Sequence, residues 1–303
     1  EFMWADVVIS EVLDGLKFAF EQKIAVDDFV HKKMMEVFRL YLIVGGMPAS
    51  VMSYLKNNNL QDVMLTQREI IKLYRKDISQ YDDERKLSIK EVFDLIPSEL
   101  NSKCKRFIVK NIDKNARAER YKEEFVWLKD AGVAIPIFNI EEPKLPLMLA
   151  SSRNLFKLFS NDVGLLACQY SDGIQLRILT GDDNINFGSI YENVVAQELY
   201  AHGFEGLYYY NSKKYGELDF LIEDYGQLTA IEVKSGKSYR KHNALDKCLK
   251  CENFHIQRAI VLCHDNVQVE DDVTYMPIYM TMFMKKYQNR EPLVYKLDIS
   301  DLV

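Results

Sequence analysis

A chain of 303 residues with 48% hydrophobic and 28% charged side chains has the balance of a folded globular protein, and disorder is excluded. At that length two or three domains are expected. Its 39 basic and 45 acidic residues leave a formal net charge of −6, which argues against a protein that coats nucleic acid indiscriminately but allows a local basic groove.

No apolar run is long enough to span a bilayer and no signal peptide is legible, so no membrane partner is expected. Five cysteines without the spacing of a disulfide framework fit a reducing, cytoplasmic setting. The chain opens on Glu1 rather than a methionine, as expected of a piece of something longer.

The first 75 or so residues read as helical. Val30, Met34, Val37, Phe38 and Tyr41 recur at helical spacing, and the run stops at Gly45-Gly46-Met47-Pro48, where glycine supplies positive φ and proline removes a donor. A further helix is predicted from about Leu60 to Tyr81. A second unit starts near Ser88, where Ser88 and Glu91 have capping-box spacing, with Ile89, Val92, Phe93, Ile96 and Leu100 facing inward. The next helix covers Ala116 to Lys129, with Tyr121, Phe125 and Leu128 inward, Arg117, Arg120 and Lys122 outward, and Ala131-Gly132 as its C-cap. A β-like run from Val133 to Ile140, a turn through Pro146 and a second run from Leu147 complete a pattern resembling a winged helix-turn-helix. A small helical connector is the alternative.

From about Asn154 the chain alternates in an α/β manner. A helix over Ile190–His202 precedes strands at 207–210, 217–222 and 228–233, then a helix over 244–254 and a strand over 259–263. The predicted division is a helical unit over 1–82, a winged-helix-like unit over 83–153 and an α/β unit over 154–303.

The stretch that carries chemistry is Gly216-Glu217-Leu218-Asp219-Phe220-Leu221-Ile222, a turn at Asp224 to Gly226, then Ile231-Glu232-Val233-Lys234-Ser235-Gly236. Strand alternation sets Glu217 with Asp219 and Glu232 with Lys234, and sends Leu218, Phe220, Ile231 and Val233 to an apolar side. A hairpin then brings two acids and a lysine to one patch. Carboxylates hold a hard cation such as Mg²⁺ or Mn²⁺, which polarises a phosphate and acidifies bound water. A lysine two residues beyond the glutamate can orient that water or neutralise developing charge. Glu192 shares a helix face with Val195, Ala196 and Leu199, so its carboxylate should point inward and need a partner. Exposed faces of two amphipathic strands would explain either short motif alone. The order of helix-Glu, strand-Asp and strand-Glu-x-Lys, with Asp219 and Glu232 thirteen positions apart, is more specific.

Cys248-x-x-Cys251 with His255, Cys263 and His264 could be read as a zinc site, but the apolar positions around the cysteines fit core packing better. Tyr208-Tyr209-Tyr210 reads as a half-buried strand before it reads as a base-stacking platform. Lys213, Lys214, Lys237, Arg240 and Lys241 flank the candidate site and either guide a phosphate backbone or solvate loops.

These motifs are similar to those of a known group. Glu192, Gly216–Ile222 and Ile231–Gly236 resemble the catalytic core of PD-(D/E)XK nucleases, with Leu218 standing where the proline of that name would be. The chain as a whole resembles the C-terminal portion of prokaryotic AAA+ ATPases that carry a nuclease-like domain of unknown function. The matching pieces are Glu1-Phe2-Met3-Trp4-Ala5, Gly45-Gly46-Met47-Pro48, Tyr74–Ile78, Ile96–Leu100, Phe156–Phe159, Asp162–Leu165 and Tyr191-Glu192-Asn193. The resemblance implies a restriction-endonuclease-like C-terminal fold, with Asp219 and Glu232 as Mg²⁺ or Mn²⁺ ligands, Lys234 orienting water and Glu192 as an accessory acid. It further implies nucleic acid, DNA foremost, as substrate, and a P-loop ATPase domain before residue 1 through which the protein oligomerises. ATP is expected only in that domain: Gly236-Lys237-Ser238 mimics a Walker A ending, but Ile231 stands where its first glycine is required. A nuclease fold without catalysis, kept for DNA binding or assembly, is the alternative.

Overall fold

The computed structural model describes residues 10–80, 83–102, 106–107, 121–182 and 187–287, and four helices lead these described residues. They are α1 (Ser10–Gln22), α2 (Asp28–Val44), α3 (Pro48–Asn57) and α4 (Leu60–Ile78). The Asp27 side chain caps α2 by accepting from the N–H groups of Phe29 and Val30. The same helix ends at Gly45, φ +71°, and Pro48 opens α3, where a missing N–H removes no helical bond. Of the residues whose spacing predicts the inner side of α2, Met34 and Phe38 are buried and Val30, Val37 and Tyr41 half-buried, with Leu42 buried beside them.

Helix α5 (Asp83–Asn101) starts five residues before Ser88, so Ser88 and Glu91 lie inside a helix and not at a capped start. Acidic residues followed by good helix formers at 83–87 allow the extra turn. Helix α6 (Lys122–Asp130) is the described part of the segment read as helical over 116–129. Arg117, Arg120, the Lys122 side chain and the motif Glu1–Ala5 lie outside the described residues. Gly132, φ +66°, closes α6, and the Val133 N–H reaches back to the Leu128 carbonyl at 2.9 Å.

A mixed eight-stranded sheet follows. Its strands are β1 (Ala134–Ile140), β2 (Ser151–Ser160), β3 (Tyr208–Ser212), β4 (Gly216–Asp224), β5 (Gln227–Val233), β6 (Arg258–Cys263), β7 (Gln268–Glu270) and β8 (Val273–Pro277). Their spatial order is β2-β1-β3-β4-β5-β6-β8-β7. Strand β4 is antiparallel to both neighbours, whereas β1–β3, β5–β6 and β6–β8 are parallel pairs. Four further helices are α7 (Val163–Cys168), α8 (Ile174–Thr180), α9 (Gly188–Ala201) and α10 (Asn243–Leu249); α7, α9 and α10 pack on the sheet, and α8 packs on α2 and α7.

The hairpin assigned from sequence to a winged-helix-like unit is β1 and β2, and it belongs to this sheet. Phe138, Asn139 and Ile140 pair with Tyr208, Tyr209 and Tyr210, so what would be a free wing edge is a central ladder. The division placed at residues 153 and 154 falls within β2. The larger apolar cluster likewise joins Leu16, Phe38, Val92, Leu128, Phe159, Val195 and Phe220. A smaller cluster on the other face gathers Leu218, Ala230, Val261, Leu245 and Cys248 beneath α10.

The leading helices are tied to the sheet by Asp162. Its carboxylate accepts from the N–H of Gly46 at 2.7 Å and of Leu165 at 2.9 Å, capping α7 while holding the loop between α2 and α3. A Cβ on Gly45 would lie 2.3 Å from Asp162 Oδ1, and one on Gly164 would lie 2.8 Å from the Gly45 nitrogen. The two loops therefore cross at backbone contact, which only glycine permits. Among the described residues no single helix is long and apolar enough to cross a membrane.

Candidate functional site

The β4–β5 hairpin turns through Tyr225 and Gly226, φ +47° and +72°. Positive φ at both central residues matches the right-handed twist of the flanking strands. The ladder runs from Asp224–Gln227 to Phe220–Ile231. On the other side of β4, the pairing with β3 shifts between Tyr208–Leu221 and Tyr210–Leu218, which leaves an extra residue on β4 around Asp219. Such a bulge bends a strand and re-aims its side chains. It corrects the strict alternation read from sequence: Leu218 joins the smaller cluster while Phe220, Ile231 and Val233 join the larger.

Released from the ladder, Asp219 uses its side chain instead, and Oδ2 accepts the Val233 N–H at 2.8 Å. The Asp219 carboxylate also shares a hydrogen bond with the Glu232 carboxyl. Lys234 Nζ donates to Glu232 Oε2 at 3.2 Å, while the Lys234 backbone N–H extends the β5–β6 pairing to the Leu262 carbonyl at 2.8 Å. Asp219, Glu232 and Lys234 therefore meet where β4 and β5 part. Glu232 is 3% exposed and the Lys234 side chain 29%, so the lysine forms the outer wall of an otherwise buried group.

Glu192, 2% exposed on α9, stands beside this trio with a different partner. Lys157 of β2 places Nζ 3.6 Å from Glu192 Oε2 and 2.6 Å from Glu217 Oε1, and 5.0 Å from the centre of the Tyr209 ring. Glu217 also accepts from Asn211 Nδ2. Helix α9 is fixed to β2 by Asn193, whose amide accepts the Ser160 N–H at 2.8 Å and donates to the Ser160 carbonyl at 3.1 Å. That pairing sets Glu192 over Lys157.

Burial, and then the Asp219 carboxylate, hold the Glu232 carboxyl well above the usual carboxylate range, with Lys234 offsetting part of the effect. Burial works against a charged Lys157, but Glu192, Glu217 and Asp219 outweigh it and raise its pKa. Lys234 is raised in the same way by Glu232 and Asp219, and it also feels Glu192. Four carboxyl groups, one proton held between Glu232 and Asp219, and two ammonium groups leave the cluster net negative.

Among the described residues no three His, Cys, Asp or Glu side chains form a ready metal cage. Mg²⁺ does not require one, since it keeps several waters and takes one or two protein carboxylates. Two buried carboxyl groups sharing one proton, in a net negative cluster, are a donor set that suits a divalent ion once it displaces that proton. The cysteines are not: Cys248 and Cys263 lie in the smaller apolar cluster, and burial pushes their thiols up to about 12 and about 11. Tyr209 and Tyr210 are buried, as a core strand requires, and offer no stacking face. Lys213, Lys214, Lys237, Arg240 and Lys241 are exposed, and Arg240 is paired with Glu270.

Lys157 belongs to none of the candidate-site motifs legible in the sequence. Its signal was a lysine inside the apolar run Phe156-Lys157-Leu158-Phe159, where a charge needs a buried partner.

Residues 35–175 match the family model for a domain of unknown function designated DUF8612. Residues 187–281 match that for another domain of unknown function, DUF4143. The candidate site draws on both. Glu192, Glu217, Asp219, Glu232 and Lys234 lie in the DUF4143 match, whereas Lys157 lies in the DUF8612 match. The same sheet runs through the two, since β1 and β2 fall in the first and β3 to β8 in the second. No curated protein and no solved structure matches the chain.

Proposed function

We propose that the DUF4143 region is a restriction-endonuclease-like module of the PD-(D/E)XK type that hydrolyses phosphodiester bonds in nucleic acid, DNA foremost, within the C-terminal part of an AAA+ ATPase. Asp219 and Glu232 hold Mg²⁺ or Mn²⁺, Lys234 faces the reacting water or phosphate, and Glu192 is the accessory acid. When bound, the ion polarises the phosphate and supplies an acidified water. The protein's own part is to fix the Asp219 carboxylate by the Val233 N–H and the bulge, to keep bulk water from Glu232, and to aim the Lys234 ammonium from the exposed side. The observation that carries this reading is the meeting of Asp219, Glu232 and Lys234 at the point where two paired strands separate.

Calorimetry with Mn²⁺ and Mg²⁺ on the chain and on Asp219→Ala tests it. A binding heat in the first and none in the second is expected. Incubation with single-stranded, duplex and branched DNA should then show cleavage that Asp219→Ala lowers about a hundredfold or more, as when a group stabilising developing charge is removed. Identical heats for the two proteins would remove the enzyme reading.

A second reading keeps the fold without the chemistry, as a module for DNA binding or for assembling the ATPase. The fully buried Lys157 favours it, because its ammonium already neutralises part of the acidic cluster from within. In that case neither protein binds the ions.

A further inference from the structure

Lys157 is buried to 0% exposure and touches no surface from which substrate or solvent could reach it. In an apolar strand such a lysine is a poor choice for packing alone, since a buried ion pair is often no more stable than apolar residues of the same volume. Its surroundings explain the choice. Nζ lies between Glu192 and Glu217, at 3.6 and 2.6 Å. Lys157 lies between Glu192 and Glu217, while Lys234 bonds Glu232 of the neighbouring Asp219–Glu232 pair.

The geometry points to Lys157 as a built-in counter-cation that limits the acidic cluster to one divalent ion. It is a positioning residue, acting through Glu192 and Glu217, and the inference rests on the metal reading of Asp219 and Glu232. Once an ion has displaced the proton that Glu232 shares with Asp219, the four carboxylates and the ammonium groups of Lys157 and Lys234 leave two negative charges, which one divalent ion neutralises. Replacing it by the uncharged methionine side chain, one atom shorter, leaves three, with Glu192 and Glu217 facing each other across a vacated cation position.

The test is Mn²⁺ binding, counted by calorimetry and by the spin-resonance signal of the free ion. The unaltered chain is expected to bind one ion, and Lys157→Met two, the tighter of them at least about tenfold stronger than the original. Adding Glu217→Gln to Lys157→Met removes one negative charge and should return the count to one, a rescue that a purely structural role for Lys157 would not produce. If Lys157→Met does not fold in metal-free buffer, Mn²⁺ should restore its fold, because one cation replaces another. One ion at unchanged affinity in Lys157→Met, or a variant that stays unfolded with Mn²⁺ present, overturns the inference. If the unaltered chain binds no Mn²⁺, the metal reading itself has failed and takes this inference with it.

Discussion

At Glu232, burial and the adjacent Asp219 carboxylate keep the proton on to higher pH than in a free glutamate. A metal ion must displace that proton, so binding releases it and strengthens as pH rises. Mn²⁺ affinity should climb between the ordinary glutamate value and the raised value of Glu232, then level off. Calorimetry in buffers of different ionisation heat counts the proton released, and an affinity flat across that window would contradict the assignment. The raised value also sets a stability trend with a defined sign. A folded-state value raised above the unfolded one contributes stability that is present below the unfolded value and lost as pH rises through the folded value. The metal-free chain should therefore weaken on going from acid toward neutral pH, by about 1.4 kcal/mol for every pH unit that separates the two values. Glu232→Gln, which mimics the protonated acid, should not show this slope. Denaturant melts of the two proteins across that range make the comparison.

Gly45 and Gly132 both sit at positive φ, +71° and +66°, but in different company. A methyl group on Gly132 meets nothing within 4 Å, whereas one on Gly45 lies 2.3 Å from Asp162 Oδ1. Gly132→Ala should cost about 1 kcal/mol, the backbone cost alone. Gly45→Ala should cost about 3 kcal/mol, because it also drives Asp162 from the N–H groups it caps. Chemical denaturation of both variants checks this, and equal losses would mean that the crossing of the two loops adds nothing. Features of this local kind were legible in the sequence. The stop of α2 at Gly45-Gly46, the C-cap at Gly132 and the β4–β5 hairpin each follow from a few neighbouring residues. So did the approach of Asp219, Glu232 and Lys234, since one hairpin carries all three. What depends on distant pairing was not. The bulge at Asp219 is a property of how β4 meets β3, and the partners of Lys157 lie 35 and 60 positions further along the chain. The β1–β2 hairpin has the same pattern whether its edge is free or paired, and only Tyr208–Tyr210 decides.

On the scale of the whole molecule, helices and sheet share one apolar core. The larger cluster draws side chains from Leu16 in α1 to Met284 near the end of the described chain. The Asn266 amide bonds to both the N–H and the carbonyl of Val26, joining the far side of the sheet to the loop before α2. A fragment beginning at residue 187, where the DUF4143 match starts, would retain Glu192, Asp219, Glu232 and Lys234. It would lose β1 from the edge of β3, the Asn193 contacts to Ser160, and Lys157 from among the carboxylates. Each loss has a physical cost: an unpaired strand edge prone to association, buried polar groups without partners, and unneutralised acids in a low-dielectric interior. The expected outcome is that residues 187–287 alone aggregate or melt without a cooperative transition. The 303-residue chain should melt in one step, with helix content and aromatic environment changing together. Circular dichroism in the far and near ultraviolet on both proteins tests the point, and a well-dispersed, cooperatively melting fragment would show that the family match marks an independent folding unit.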